Sequence, residues 1–600
     1  MTKLADQRLR LIVSLFALAF ALVIGRAVQI QLVQAGELSA QARGQQNITI
    51  TVPTQRGRIL DRVGKPLAQD LRAKDLMVHP GEVEDPQLLA QWIAQKTGYK
   101  LFSSKVEGKG KKKQQANALA RKRFKERVDF LVNRLTAGGQ KGIVEARVLV
   151  QLTPAVANRI MAPRPEGLFL RDTVRRAYPY RSQATQLIGY TNQEGSGKNG
   201  AGIELAYDDV LAGTPGERIE VRGPNGVTLE TVTLRDARPG KDVQLTIDQT
   251  IQQYVQSVLE RTVRDYRARS ATAIVLDPRN GEVLAMAGAP SYDNNTVHDL
   301  PAEKFHRRTT NMAVEYSYEP GSTFKVVTMV AALTGKIVTP SMKFFNLPYE
   351  IPVGDKRVHD DHFRGPKTFT TRDILQQSSN VGTVTIAQMV GRYDLGDWIT
   401  KFGFGKPTSL GLPGEAPGIV LPPDKWYDSS IGNIPIGQGI AVTPMQMVQL
   451  FATIANDGVL AQPHVIKRVG GKQPKLAPPK RLIDPTVNRT LVNMLKGVVD
   501  SAAGTGTRAR IPGYTVAGKT GTSQKALEHG LGYSKTDYVA SFVGFLPADN
   551  PRVQVLVVVD SPHHGGIFGG LVAAPAFKEI ATFLTQRLAI PPDHRFTPEP

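Results

Sequence analysis

The sequence predicts an α/β fold, an antiparallel sheet with helices on both faces and a mostly helical insertion. Three observations support this. A helical stretch, Gln249 to Arg267, leads into two strand-like segments, Ala271 to Asp277 and Glu282 to Gly288, joined by the turn Pro278-Arg279-Asn280-Gly281. Far downstream, Tyr538 to Phe545 and Val553 to Asp560 read as two further strands, closed by a helix from about Ala573 to Leu588. A hairpin at one end and strands with a helix at the other, bracketing a helical middle, give a sandwich of one sheet between helix layers.

Six hundred residues exceed one core and point to about three or four units. A hydrophobic fraction of 41% excludes a mainly disordered chain. There is no cysteine, so neither a disulfide framework nor a Cys-ligated metal site is available.

Taken in order, the N-terminus comes first. Leu11 to Gly25 is uncharged and follows Lys3, Arg8 and Arg10. Those fifteen residues give about 22 Å of helix, short of the roughly 30 Å hydrocarbon core. Arg10 and Arg26 can snorkel at its ends, and Ala27, Val28, Ile30, Leu32 and Val33 extend the same helix. A cleaved signal peptide is the rival, but no clean Ala-x-Ala site follows directly. The expectation is a cytoplasmic tail over 1–10, one uncleaved anchor over 11–33, and the rest outside the membrane.

The region 34–240 is irregular, with strand-like Ile48 to Val52 and helix candidates at Arg127 to Leu135 and Pro154 to Met161. The formal charge of +22 is concentrated partly in a basic insertion at about 102–127, from Lys105 and Lys109 through Lys125 and Arg127. No aromatic residues alternate with these cations, so a solvated loop running into a basic helix fits better than nucleic-acid binding. Outside a membrane it would adhere weakly to anionic lipids or polymers. A second domain, 241–590, follows, with a tail at 591–600.

The chemistry lies in three short stretches of that domain. Ser322-Thr323-Phe324-Lys325 follows a Pro-Gly break and opens an apolar, buried helix. Ser322 and Lys325 share a face of its first turn, so a desolvated amine can reach the hydroxyl and act as its base. Ser378-Ser379-Asn380 follows the helix candidate Thr371 to Gln377, where a tight loop can aim a proton-relaying hydroxyl and an amide into a cleft. Lys519-Thr520-Gly521-Thr522 lies on a strand, Tyr514 to Thr522. Alternation sets Lys519 on one face and both Thr hydroxyls on the other, with Gly518 and Gly521 expected to admit a substrate backbone.

The ordered set SxxK, SxN, KTG is the one the serine penicillin-recognising enzymes carry, and the chain resembles penicillin-binding proteins. Arg56-Gly57-Arg58-Ile59, Asp61-Arg62, Gly64, Arg176-Ala177-Tyr178-Pro179, Gly202-Ile203-Glu204, Tyr207 and Leu211-Ala212-Gly213 resemble the N-terminal pedestal of class B members. The resemblance covers nearly the whole chain. It implies the penicillin-binding, serine β-lactamase-like fold preceded by an α+β pedestal. It also implies a D,D-transpeptidase forming an acyl-enzyme on Ser322, with Lys325 as base. In that scheme Lys519 tunes Ser378, Asn380 holds the substrate amide, and Thr520, Gly521 and Thr522 line the carboxylate site. The N–H groups of Ser322 and Thr522 would form the oxyanion hole. EPGSTFK and SSNVG resemble the cell-division type more than the elongation type.

Rival functions separate on deacylation. A class A β-lactamase needs a Glu-x-x-x-Asn segment after SxN, and none stands between Val381 and Pro422. Non-catalytic β-lactam sensors of this type carry several membrane helices and a protease signature, which this chain lacks. A D,D-carboxypeptidase remains a related alternative. Expected partners are peptidoglycan stem peptides on lipid-linked precursors, β-lactams, the membrane, and a SEDS-family glycosyltransferase with other division proteins, docking on the anchor and on Arg56 to Gly64. No cofactor and no nucleic acid are implied. His359-Asp360-Asp361-His362 lacks a third ligand of recognisable spacing, so a metal is not expected. His563-His564-Gly565-Gly566 reads as a glycine-rich loop beside the cleft, and Gly437-Gln438-Gly439 as a structural turn.

Overall fold

The computed structural model describes residues 2–34, 36, 47–99, 111–139, 143, 145–192, 195–223, 228–527 and 532–594. Lys105 and Lys109 of the basic insertion and positions 595–600 of the tail lie outside them.

Helix α1, Thr2–Val28, continues through a wider turn, Gln29–Val33. Its stretch Asp6–Leu32, 27 residues with mean hydropathy 2.4, is long and apolar enough to cross a membrane. Its apolar side chains are exposed, as they are on a helix whose solvent is lipid. This is a single-pass anchor candidate.

The pedestal is built on strand β1, Ile59–Leu60, and the long strand β2, Pro66–Val78, which pairs with β3, Ala146–Leu152, and β4, Leu168–Ala177. Helices α2, Pro86–Lys96, and α3, Lys111–Leu135, cover this sheet. The basic helix into which the insertion is expected to run begins at Lys111. Phe124, Val128, Leu131 and Leu135, at helical spacing, are buried among Leu76, Ile93 and Leu168, while Arg121, Lys122, Arg123 and Lys125 are exposed and Arg127 lies over the Tyr99 and Phe130 rings. The sequence reading began this helix at Arg127 because the charged face outweighs the narrow apolar stripe.

The pedestal motif residues form a buried ionic lattice. Arg56 Nε and Nη1 donate to Glu204 (2.7 Å) and Asp208 (2.5 Å), while Arg176 donates to the other Glu204 oxygen (2.7 Å) and to Asp70 (3.1 Å). Glu204 is fully buried between two arginines. Removing its charge leaves Arg56 with Asp208 alone and Arg176 with Asp70 alone, and breaking such buried pairs costs about 3–5 kcal/mol. Glu204→Gln is expected to lower the pedestal's melting transition clearly in calorimetry; an unchanged trace would show that the lattice is not structural. Part of the stretch Arg56 to Gly64 is interior. Arg56 and Asp61 are interior, and a Cβ on Gly57 would lie 2.1 Å from the Lys241 carbonyl oxygen. Only Arg58 and the Val63-Gly64-Lys65 turn remain exposed there.

Strand β5, Val243–Leu245, joins the two regions, pairing parallel with β1 and antiparallel with Ile466–Val469 of the second domain. Arg62–Glu282 at 3.1 Å crosses the same junction. The second domain has helix α4, Gln249–Asp265, then β6, Ser270–Leu276, and β7, Val283–Ala289. Its sheet is completed by β8, Ala517–Ala526, β9, Tyr533–Leu546, and β10, Val553–Asp560, in the antiparallel order β7-β6-β10-β9-β8. Alternate residues of each central strand feed two cores. Ile251, Val255 and Leu259 of α4 and Phe577 and Ile580 of the C-terminal helix pack on one face. The other face meets the helical insertion, including Phe324, Val327 and Phe451. The insertion also carries two small hairpins, Lys343–Leu347 with Lys367–Thr370 and Glu350–Val353 with Lys356–His359. Too short and polar to show a period, these hairpins are absent from the sequence reading.

Candidate active site

Ser322 lies in a single 3-10 turn, Gly321–Phe324, before helix α5, Lys325–Thr334. The turn is tightly cradled. Gly321 has φ 56°, and a Cβ there would lie 2.5 Å from the Thr522 carbonyl oxygen. The Gly437-Gln438-Gly439 turn backs it: Gly321 N–H donates to Gly437 O (3.0 Å), and Ser523 Oγ–H donates to Glu319 O (2.6 Å). The half-buried Ser322 hydroxyl faces a cleft of about 580 Å³ also lined by Asp361, Ser378, Thr520, Thr522 and Arg508.

Lys325 is fully buried, and its Nζ donates to Ser378 O (2.5 Å) and Asn380 Oδ1 (2.6 Å), with Ser378 Oγ at 3.2 Å. The Asn380 amide is oriented by its other end, where Nδ2 donates to His359 O (2.9 Å) and to Asp361 (3.3 Å). Two departures from expectation follow. The Lys325 amine bonds to the 378–380 loop and, among the described residues, makes no hydrogen bond to Ser322, because three acceptors converge on it from that loop. Asn380, expected to hold the substrate amide, spends both ends of its own amide on Lys325 and the 359–361 loop.

Ser378 follows helix α6, Thr371–Gln376, and precedes α7, Asn380–Val390. It occupies the left-handed region at φ 59°, uncommon for a residue with a Cβ and frequent at functional sites. This turn sets Ser378 Oγ between two buried amines, 3.2 Å from Lys325 and 3.0 Å from Lys519. Lys519 is also fully buried and lies 3.2 Å from Thr520 O. Burial pulls Lys325 down to about 8 against the opposing fields of Asp361 and Asp360. Burial and the nearby Lys325 amine push Lys519 well below its ordinary value. Two ammonium groups in one dry site repel, so both shifts run toward the neutral amine.

Strand β8 is the edge of the sheet. Thr520 and Thr522 line the cleft, and the Lys519 amine reaches round to 3.4 Å from Thr520 Oγ1. Thr520 Oγ1 is 2.8 Å from Thr505 Oγ1, and Thr522 Oγ1 accepts from Gly569 N–H (3.1 Å) at the start of helix α8, Gly569–Arg587. The two glycines are explained differently from the expectation. A Cβ on Gly521 would meet Ser541 Oγ at 2.3 Å and Pro320 O at 2.7 Å, and one on Gly518 would meet the Phe542 ring at 2.8 Å. Both answer to internal packing, the first against the Ser322 turn itself, not to substrate approach.

Among the described residues no group of His, Cys, Asp or Glu could hold a metal. Asp360 instead accepts from Arg364 (2.5 Å), Ser379 Oγ (3.0 Å) and Val381 N–H (3.1 Å), pinning the 359–364 loop to the Ser378 turn. The backbone N–H groups of His563 and His564 donate to Tyr266 O, the His564 ring meets Asp265 O and the His563 ring lies 3.6 Å from Asp537, so neither lines the cleft, while the loop they open leads to Phe568 at the cleft rim.

A family model for the penicillin-binding protein transpeptidase domain matches residues 271–582, and one for the penicillin-binding protein dimerisation domain matches 51–245. The chain belongs to the class B penicillin-binding proteins. It is 35% identical over 592 residues to penicillin-binding protein PbpB of Mycolicibacterium smegmatis, covering 95% of this chain and 89% of that one. Against peptidoglycan D,D-transpeptidase FtsI of Escherichia coli it is 32% identical, covering 98% and 92% of the two chains. The crystal structure of penicillin-binding protein 3 of Mycobacterium tuberculosis complexed with aztreonam superposes with TM-score 0.67 at 28% identity, covering 91% and 99%. In this penicillin-binding protein, Thr505, Arg508 and Phe568 are cleft residues that belong to no motif, and Asp361 stands out in the sequence only within the His359 to His362 metal candidate.

Proposed function

We propose that this chain is a membrane-anchored serine D,D-transpeptidase that cross-links peptidoglycan stem peptides at the division septum, with Ser322 as nucleophile. One observation carries the site assignment: Ser378 Oγ bridges two fully buried lysine amines beside Ser322 in one cleft. The neutral Lys325 amine has two N–H bonds, which suit Ser378 O and Asn380 Oδ1, and a lone pair left to accept a hydroxyl proton. In the reading proposed, it takes the proton of Ser322 as Oγ bonds to the carbonyl carbon of the penultimate D-Ala. The N–H groups of Ser322 and Thr522 hold the oxyanion, and Thr520 and Thr522, with Thr505 behind them, hold the terminal carboxylate. Ser378 hands a proton to the departing D-Ala and recovers one from the lysine pair. An acceptor amine then takes the acyl group.

The same acylation by β-lactams is expected, as in the M. tuberculosis relative complexed with aztreonam. Similarity to FtsI favours the septal over the elongation role. The Lys and Arg flanks of α1 favour a cytoplasmic N-terminus. A SEDS-type polymerase and other division proteins would supply the glycan strands, meeting α1 and the exposed part of the pedestal junction.

The test is labelling with fluorescent penicillin followed by peptide mapping. One mole of label per mole on the peptide containing Ser322, persisting for many minutes, is expected; label on another serine, or release within seconds, would overturn the assignment.

A further inference from the structure

The reaction needs a second substrate that the site so far leaves without a binding group. The acceptor is an amine, and an alkyl amine with pKa about 10.4 arrives as an ammonium ion. It must approach a cleft lined by Ser378, behind whose Oγ lie the buried amines of Lys325 and Lys519, and by Arg508, which makes no ion pair among the described residues. That field opposes a cation. The two adjacent acids on the 359–364 loop differ in what they can do about it. Asp360 is buried and saturated by Arg364, Ser379 and Val381. Asp361 is exposed, lines the cleft with Ser322, and accepts a single long hydrogen bond, 3.3 Å from Asn380 Nδ2. Among the described residues it forms no ion pair within 4 Å, although its field reaches the buried Lys325 and Lys519 amines.

We propose that Asp361 is the binding group for the acceptor ammonium in the cleft that it lines with Ser322, Thr520, Thr522 and Arg508. This rests on the transpeptidase reading. Asp361 sits one amide away from the base, since Asn380 touches Asp361 through Nδ2 and Lys325 through Oδ1. The ammonium would enter on the carboxylate and lose one proton to solvent or the lysine pair. Its nitrogen then bonds to the acyl carbon as the C–Oγ bond breaks. The amine's second proton leaves through the Ser378–Lys325 path and returns to Ser322 Oγ. No oxidant or further reactant is needed. Water carries no charge, so hydrolysis of the same acyl-enzyme draws nothing from Asp361.

The experiment measures partition of one acyl-enzyme. The full-length protein is acylated by a thioester donor peptide, and the ratio of amide to acid product is followed against glycinamide, then against hydroxylamine, which is uncharged at neutral pH. Because both products leave one intermediate, the ratio is independent of acylation rate. Asp361→Asn is expected to lower capture by the glycinamide cation about tenfold while leaving capture by hydroxylamine within twofold, and Asp361→Glu is expected to recover most of the loss. Equal loss with both nucleophiles would make Asp361 a structural residue, and no loss with either would remove it from acceptor binding; both overturn the proposal. Failure of the wild-type protein to form any acyl-enzyme would instead overturn the transpeptidase reading, and this inference with it.

Discussion

Ser322→Ala is expected to take up no penicillin at any concentration or time, while its melting temperature stays within about a degree of wild type. The first half follows from chemistry. Ser322 is the only serine in the chain followed three residues later by lysine, and the neighbouring hydroxyl, Ser378, is buried between two amines rather than open to a carbonyl. The second half follows from packing. Ser322 Oγ makes no hydrogen bond among the described residues, so alanine strands no partner and opens no cavity. Intact-mass spectrometry after penicillin treatment, together with calorimetry, checks both. An acylated alanine variant would move the nucleophile to another residue, and an unfolded one would show that the hydroxyl holds the 321–324 turn.

Lys325→Arg is expected to slow penicillin acylation at least a hundredfold. A guanidinium cannot release its proton at usable pH, so the lone pair that should receive the Ser322 proton never appears. Arginine is also bulkier in a fully buried site, and the variant's fold has to be verified separately. The wild-type pH profile tests the same point without a substitution. Lys325 is pulled down to about 8 by burial, so below that pH most of it is an inactive ammonium ion. The acylation rate should therefore rise about tenfold per pH unit on the acid side and level off above pH about 8. A profile flat from pH 6 to 9 would assign the base to another group.

The outer shape of the second domain could be read from local pattern. Val553–Asp560 coincides with the observed strand, and Ala271 to Asp277 and Glu282 to Gly288 differ from theirs by one residue at each end, because buried strands announce themselves as unbroken apolar runs. The helix placed at Ala573 begins at Gly569 instead. Its first turn holds two glycines, poor helix formers whose place is set by the close approach of Gly569 to Ser541 and Gly521. The pedestal lattice was half legible. Arg56, Arg176 and Glu204 stand out by their resemblance to the pedestal motifs, but their convergence on one buried carboxylate arises only across 148 and 28 residues of chain.

What the sequence determined by itself was the set of chemical groups and their local geometry: one serine and one lysine a helical turn apart, a second serine after a helix, a lysine on a strand, and an apolar helix at the N-terminus. These are consequences of spacing within a few residues, where backbone periodicity dictates which side chains share a face. What only the tertiary structure decided was how those groups face one another. Lys325 meets Ser378 across 53 residues of chain, and Lys519 meets it across 141. No periodicity reaches that far. The assignment of Lys325 to the Ser378–Asn380 loop, the packing origin of Gly521 and the exposure of Asp361 in the cleft depend on the packing of helix layers against one sheet, because desolvation and hydrogen-bond convergence arise only once distant segments exclude water from the same volume.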